Sequence, residues 1–168
     1  MGTRCGDIDP TIVEFLMKKE KKSLSEVISI LNKQSGILGI SGVSNDMRDI
    51  EKAINENNER AKLAYQMYNY KIKKYVGAYL AAMNGADAIC FTAGVGENDI
   101  TVRKEICKDM EYAGLIFDEQ ANKNFKRGEE TLISTPDSKI KVYIIPTNEE
   151  LMLARDTYCI VSEQEITE

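Results

Sequence analysis

A glycine-containing stretch of the sequence, residues 91–98 (F-T-A-G-V-G-E-N), has residue types that could hold a phosphorylated ligand. Gly94 and Gly96 allow the backbone to turn tightly and to approach a ligand closely. A helix predicted to follow the stretch would direct free backbone N–H groups toward a phosphate above the loop. The stretch is neither a complete G-x-G-x-x-G motif nor a Walker A loop. It therefore predicts either a nucleotide-binding loop or a tight strand-to-helix turn that holds no ligand.

Charged residues at two predicted helix starts are further candidates for ligand contact. Asp46 and Arg48 follow the glycine-containing turn S-G-V-S-N, where they could bind ribose hydroxyls and stack on a base. A capping carboxylate with a surface ion pair is the alternative interpretation. Glu149 lies in T-N-E-E, directly after a predicted strand that ends at Pro146. A carboxylate there can hold Mg²⁺ directly or through water, although an acidic first helical turn also simply suits the helix dipole.

An arginine, Arg4, lies between Gly2 and Gly6 in the first ten residues, M-G-T-R-C-G-D-I-D-P. Its planar guanidinium is suited to clamp a transferring phosphoryl group. An arginine near a chain end is more often simply solvated. Arg4 therefore becomes a catalytic candidate only in combination with other parts of a phosphoryl-transfer site.

Two predicted strand–loop–helix units position the glycine-containing stretch and Glu149. The first is an apolar run at residues 88–93, followed by a helix over about 100–110. Such a continuous run is typical of a parallel strand buried on both faces, so Cys90 within it is expected to be a small core residue. The second is a strand at 141–146, followed by a helix to about Asp156. Together they predict an α/β chain.

Local signals predict several helices before the first strand. Asp9-Pro10 starts a helix that runs to about Lys19, and the capping box Ser23–Glu26 starts one over 24–33. Three further predictions are a helix over 46–55 capped by Ser44 or Asn45, a long helix over 59–83 with apolar positions at Leu63, Met67, Ile72, Val76 and Leu80, and a stop at Asn84-Gly85. A short strand at 115–118 and a helix or loop at 119–127 complete the prediction. We expect one domain, 1–168, whose three or four strands form an incomplete sheet.

The composition excludes several classes of function. The 168 residues carry a net charge of −5 with no evident basic patch, so we expect no nucleic-acid partner. The absence of histidine excludes a Ser-His-Asp or Cys-His mechanism built from this chain alone. The four cysteines lack zinc spacing, and no apolar run is long enough to span a membrane. We therefore expect no membrane partner and a cytoplasmic location.

Four long segments together resemble the acetokinase family, in the same order and at similar separations. They are residues 1–10, 37–49 (I-L-G-I-S-G-V-S-N-D-M-R-D), 84–98 and 133–151, and the resemblance extends to about Val161. It implies a partial ribonuclease H-like domain of the actin, Hsp70 and sugar kinase superfamily, helix-rich with a short, mainly parallel sheet. It also implies reversible phosphoryl transfer from ATP to acetate, giving ADP and acetyl phosphate, with Mg²⁺ as cofactor.

The same resemblance assigns roles to the candidate residues. Arg4 is similar to the arginine that stabilises the transition state, and Glu149 to the magnesium-site glutamate. The implied nucleotide contacts are Asp46, Met47 and Arg48 on the adenosine side, and Gly94, Val95, Gly96, Glu97 and Asn98 as the second ATP-binding loop. Arginine, Mg²⁺ and a backbone cradle are the parts expected for phosphoryl transfer.

Other parts of the family pattern have no match in this chain. An N-terminal domain supplies the family's acetate pocket, a catalytic aspartate, another arginine and a histidine. We therefore expect the C-terminal, nucleotide-binding part of an acetate kinase, inactive alone and homodimeric by resemblance, with the small molecules acetate, acetyl phosphate and ATP as substrates. The alternatives are part of a propionate or butyrate kinase, or a non-catalytic nucleotide-binding or interaction module.

Overall fold

The computed structural model describes residues 1–162 of the chain. The chain divides into two compact units, Met1–Tyr79 and Leu80–Glu168. The first unit is helical. It contains α1 (Thr11–Glu20), α2 (Leu24–Lys33), α3 (Gly36–Ser41), α4 (Met47–Asn55) and most of α5 (Glu59–Ala82).

Side chains next to the helix ends account for the starts of α1 and α2. One carboxylate oxygen of Asp9 accepts hydrogen bonds from the backbone N–H and the hydroxyl of Thr11, at 2.8 and 2.7 Å. The backbone N–H of Ser23 donates to the Glu26 carboxylate at 2.8 Å, and the Ser23 hydroxyl accepts from the Glu26 N–H. The predicted start of α2 is confirmed, whereas α1 begins at Thr11, one residue later than predicted, with Pro10 in the capping position.

The start of α4 differs from the prediction. Asp46 is itself the cap, because its carboxylate accepts a hydrogen bond from the backbone N–H of Arg48 at 2.9 Å. The prediction that Ser44 or Asn45 caps a helix containing Asp46 is therefore wrong. The hydroxyl of Ser44 instead accepts from the Asp46 N–H at 3.1 Å and so supports the turn before the helix.

The long helix α5 buries a different face from the one its apolar residues indicate. Leu63 and Met67 are about half exposed, whereas the buried positions are Ala61, Ala64, Tyr65 and Asn69. Small side chains allow α5 to approach the core of the unit closely, and that core includes the fully buried Val27 and Ile50. The predicted stop is confirmed: Asn84 and Gly85 have positive φ, and the Gly85 N–H donates to the carbonyl of Leu80 at 2.8 Å.

The second unit contains a three-stranded sheet of order β1-β3-β2. The strands are β1 (Ala88–Phe91), β2 (Thr131–Leu132) and β3 (Lys141–Ile144). β1 and β3 are parallel, with Phe91 opposite Ile144, and the short β2 pairs antiparallel to β3. The parallel pairing is confirmed, while β2 was not predicted because two residues carry no periodic signal.

The exposure of β1 contradicts the expected burial on both faces. Ala88 and Cys90 are exposed and Phe91 is buried. β1 lies at one edge of the described sheet, so only the side chains that face the core of the unit are covered. Cys90 is therefore not a core residue; Cys107 is the buried cysteine of this unit, with 1% of its surface exposed.

Four α-helices follow β1 along the chain: α6 (Ala93–Asn98), α7 (Ile100–Cys107), α8 (Glu119–Lys123) and α9 (Glu149–Val161). The predicted strand at 115–118 is reduced to a bridge between Phe117 and Ser134. α9 runs past the predicted end at Asp156, and none of its residues is buried. No helix among residues 1–162 is long and apolar enough to cross a membrane.

Candidate functional site

The carboxyl ends of β1 and β3 meet at one edge of the sheet. The backbone N–H of Ile145 donates to the carbonyl of Phe91 at 2.9 Å, which keeps the two strands together at the point where they end. The segments that follow form an open cleft of about 460 Å³, lined by Ala93, Gly94, Thr147, Asn148, Glu149 and Glu150. Gly94 and Glu149, which the sequence suggested separately, thus line the same cleft. Ligands of α/β folds bind at this edge of the sheet.

The glycine-containing stretch is a short helix, α6, and not the loop that was predicted. Its first residue, Ala93, has a φ of +58°, a left-handed conformation that is unfavourable for a residue with a side chain. The two glycines of α6 have different surroundings. A Cβ on Gly96 would lie 3.2 Å from the carbonyl carbon of Phe91, whereas a Cβ on Gly94 would meet no atom within 4 Å. Gly96 is therefore required by packing, and Gly94 leaves space in the cleft.

Glu97 links α6 to the segment that precedes α9. One of its carboxylate oxygens accepts hydrogen bonds from the hydroxyl and the backbone N–H of Thr147, at 2.6 and 2.9 Å. The hydroxyl contact is the main reason that the pKa of Glu97 is lowered from its usual value. The amide of Asn98 donates back to the Gly94 carbonyl at 2.8 Å, and Val95 is half-buried. These side chains shape the cleft through contacts within the protein.

Glu149 is an exposed carboxylate at the start of α9. Asn148 caps this helix by accepting a hydrogen bond from the Leu151 N–H at 3.0 Å, which places Glu149 in the first turn. Within residues 1–162 no group of three or more His, Cys, Asp or Glu side chains could hold a metal ion. A single carboxylate fits Mg²⁺, which keeps several waters and completes its shell with phosphate oxygens.

Arg4 lies in the first unit, on an extended segment bound to neighbouring helices through its backbone. The carbonyls of Met1 and Gly2 accept hydrogen bonds from the first N–H groups of α3, both at 3.0 Å, and the Cys5 N–H donates to the Leu31 carbonyl at 2.8 Å. The side chain of Arg4 is exposed. The segment is therefore held in place while the guanidinium is left accessible.

Asp7 gives the same segment a side-chain attachment that sequence reasoning missed. Its carboxylate accepts a hydrogen bond from the Tyr75 hydroxyl at 2.8 Å and lies 2.8 Å from the ammonium of Lys71, both on α5. The contact with Lys71 is the largest cause that lowers the pKa of Asp7. No local pattern predicts a pairing between residues 68 positions apart.

Asp46 and Arg48, also in the first unit, form an ion pair next to the half-buried Met47. The guanidinium Nε lies 3.0 Å from one carboxylate oxygen of Asp46, and these hydrogen bonds lower the pKa of Asp46 to about 2. The Arg48 side chain is 89% exposed. The alternative suggested by the sequence, a cap with a surface ion pair, is present in the structure, and it leaves one face of the guanidinium open to solvent.

A buried arginine, Arg103 on α7, contacts α6 and was not singled out in the sequence. Its Nε donates to the Asn122 side-chain oxygen at 2.6 Å, its Nη1 donates to the Gly96 carbonyl at 2.8 Å, and its Cζ lies 4.4 Å from the centre of the Phe125 ring. None of its surface is exposed. Arginine is rarely buried completely, so a position within a helical pattern predicts an exposed side chain.

Comparisons with known proteins identify close relatives. The model of the acetokinase family matches residues 1–155. The acetate kinase of Carboxydothermus hydrogenoformans is 58% identical over 161 residues, which are 96% of this chain and 40% of that protein. The chain thus spans about 40% of the length of the curated relatives it matches.

Solved structures give the same result for the fold. The crystal structure of Porphyromonas gingivalis acetate kinase matches with a TM-score of 0.87 and 53% identity, over 96% of this chain and 40% of that chain. A propionate kinase from Francisella tularensis subsp. tularensis matches with a TM-score of 0.80 and 40% identity, over 92% of this chain and 38% of that chain. The predicted α/β class, a helix-rich part of a larger kinase fold, is confirmed.

Proposed function

The chain belongs to the acetokinase family, and we propose that it supplies the nucleotide- and Mg²⁺-binding part of an acetate kinase. In the proposed reaction an oxygen of acetate forms a bond to the γ-phosphorus of ATP, while the bond from that phosphorus to the β,γ-bridging oxygen breaks. The products are acetyl phosphate and ADP, and the reaction is reversible. Such a transfer depends on positioning and charge neutralisation more than on covalent chemistry by the protein.

One observation carries the proposal: Gly94 and Glu149 line a single cleft at the carboxyl ends of two parallel strands. The open space above Gly94 allows a phosphate chain to approach the backbone of α6. Glu149 would hold Mg²⁺, which in turn neutralises the phosphate oxygens. The exposed position of both residues leaves them accessible to a nucleotide.

Residues of the first unit have proposed roles of their own. The open face of the Arg48 guanidinium is suited to stacking on adenine, Asp46 keeps that guanidinium oriented, and Met47 lies between them on the same turn. Arg4 would neutralise charge on the phosphoryl group in transit, as arginine does at phosphoryl-transfer centres. Gly94 to Asn98 would bind the nucleotide as one rigid segment, because Asn98 donates to the Gly94 carbonyl and Glu97 accepts from Thr147.

We further propose that this chain alone does not turn over acetate, because it spans about 40% of its relatives' length. Acetyl phosphate formed at a rate similar to that of a full-length relative would contradict this.

A homodimer and a cytoplasmic location are also proposed. Static light scattering of the purified chain tests the first, and cell fractionation tests the second. Acetate is favoured over propionate because identity to the Porphyromonas gingivalis acetate kinase, 53%, exceeds identity to the Francisella propionate kinase, 40%.

The test is calorimetric titration of the chain with ADP in the presence and absence of Mg²⁺. We expect Mg²⁺ to strengthen ADP binding, Glu149→Gln to abolish that Mg²⁺ effect, and Gly94→Val to weaken binding at any Mg²⁺ concentration. Glu130→Gln is a matched control, because Glu130 is an exposed glutamate that does not line the cleft. A chain that shows no binding at millimolar ADP, or a Glu149→Gln variant that behaves like the control, would refute the proposed site.

The competing hypothesis is a non-catalytic nucleotide-binding or interaction module. It predicts that ADP binds with the same dependence on Mg²⁺, but that no acetyl phosphate forms even when an N-terminal part from an acetate kinase is added. Formation of acetyl phosphate after that addition would exclude it.

A further inference from the structure

Arg103 joins α6 to the rest of the second unit through a buried set of polar contacts. Its Nη1 donates to the carbonyl of Gly96, in the middle of α6, and its Nε donates to the Asn122 side chain on α8. The Asn122 amide in turn donates to the carbonyl of Ile100 at 3.0 Å, at the start of α7. The guanidinium therefore connects three helices from a position with no exposed surface.

The six residues of α6 cannot hold their own conformation. A helix of this length is unstable in water unless tertiary contacts support it. Its outer contact, from Glu97 to Thr147, is exposed, so water can compete for these hydrogen bonds. The contact from the fully buried Arg103 to the half-buried Gly96 is less accessible to water, so it should be the stronger restraint on α6.

The arrangement is also costly for the fold itself. Among the described residues, the Nη2 of Arg103 has no hydrogen-bond partner although it is buried. A buried charged donor that is left partly unsatisfied destabilises a protein relative to a well-packed apolar side chain. Arg103 occupies this position despite that cost, and its Nη1 donates to the Gly96 carbonyl.

We propose that Arg103 is a positioning residue for the cleft: by holding the Gly96 carbonyl, it orients α6 so that Gly94 faces the segment with Thr147 and Glu149. The ligand affected is the Mg²⁺-bound nucleoside di- or triphosphate, an identity that rests on the proposed function. Arg103 itself lies beneath α6 and acts on the ligand only through that helix.

The experiment compares Arg103→Met, Arg103→Lys and a matched control, Ile133→Val, in the full chain. Ile133 is fully buried in the same unit, so its substitution also perturbs the core. The first measurement needs no ligand: it is hydrogen exchange at the Asp99 amide, which is bonded to the Val95 carbonyl of α6 at 2.9 Å. The second is the Kd for ADP with Mg²⁺, at a temperature where near-UV circular dichroism shows every variant folded.

Arg103→Met is expected to accelerate exchange at the Asp99 amide at least tenfold and to weaken ADP binding at least tenfold. Arg103→Lys should have intermediate effects on the exchange rate and on ADP affinity. Its ammonium can donate to one of the two acceptors but does not reproduce the planar arrangement of the guanidinium donors. Ile133→Val should change each value less than twofold. The Lys108 amide, bonded to the Lys104 carbonyl in α7, serves as an internal reference for exchange that should not change.

Unchanged exchange at Asp99 in Arg103→Met, or the same acceleration in Ile133→Val, would overturn the proposal. If the unsubstituted chain binds no ADP, the proposed function fails for this chain, and exchange alone decides the role of Arg103. Should Arg103→Met not fold, Asn122→Ala removes the Nε acceptor while keeping the arginine, and the same exchange criterion applies to it and to Arg103→Lys.

Discussion

The two glycines of α6 should respond to alanine with opposite changes in stability. A Cβ on Gly96 would lie 3.2 Å from the carbonyl carbon of Phe91 and 3.5 Å from its Cα, and these backbone atoms cannot rotate away. Overpacking of this kind costs about 1–3 kcal/mol, and only about 0.5–1 kcal/mol returns from removing glycine from a helix. The expected net effect of Gly96→Ala is a loss of about 1 kcal/mol in the free energy of unfolding.

Gly94→Ala should instead stabilise the protein. Its new methyl group would meet no atom within 4 Å, so only the gain of about 0.5–1 kcal/mol from the lower entropy of the unfolded chain remains. The methyl group would, however, project into the space proposed for the phosphates. Gly94→Ala is thus expected to be more stable and yet to bind ADP more weakly.

Urea denaturation followed by circular dichroism measures both stabilities, and calorimetry with Mg²⁺ and ADP measures binding. Similar slopes of the unfolding free energy against urea would show that the variants unfold from the same state. If Gly96→Ala were as stable as the original chain, the close approach of α6 to β1 would be wrong. If Gly94→Ala bound ADP with unchanged affinity, the ligand would not occupy the space above that residue.

Three further predictions concern the two units separately. Leu115→Ala should lower the free energy of unfolding by about 2–5 kcal/mol because Leu115 is fully buried, whereas Leu153→Ala on the exposed α9 should change it by less than about 0.5 kcal/mol in the same urea assay. Arg48→Ala should raise the pKa of Asp46 from about 2 toward 3.8, as measured by NMR titration of its carboxyl group. Because the pKa is lower in the folded state, the stability that this pair contributes is present above pH 3.8 and is lost as the pH falls toward 2. A pKa that does not change in the variant would exclude the ion pair. Gly36→Ala should lower the free energy of unfolding by more than about 2 kcal/mol, because the φ of Gly36 is +60° and a Cβ would lie 2.5 Å from the Met1 carbonyl oxygen. A loss below about 0.5 kcal/mol, as expected for an exposed surface change, would show that the segment carrying Arg4 does not lie against α3.

Features that depend on neighbouring residues were predictable from the sequence. The capping box at Ser23, the bounds of α2 and the stop at Asn84-Gly85 all follow from hydrogen bonds that span five residues or fewer. The error at the start of α4 is of the same local kind. Ser44, Asn45 and Asp46 are all good capping residues, and the choice among them depends on where the preceding turn ends.

Features that depend on distant residues were not predictable in this way. The exposed surface of Cys90 follows from the place of β1 at the edge of the described sheet, which the apolar run itself does not reveal. The buried face of α5 is set by what packs against it, and small residues there outweigh the larger apolar ones. Arg103 is buried only because an amide, a carbonyl and a ring from other parts of the unit surround it.

The sequence by itself therefore determined the α/β class, most helix bounds and the order of four segments that resemble one family. Only the tertiary structure decided that Gly94 and Glu149 line the same cleft, that Glu97 and Thr147 form hydrogen bonds across 50 positions, and that Arg103 donates to the Gly96 carbonyl of α6. The physical reason is the range of the interactions. Helix caps and turns are settled between adjacent residues, whereas a cleft exists only after distant strands have paired.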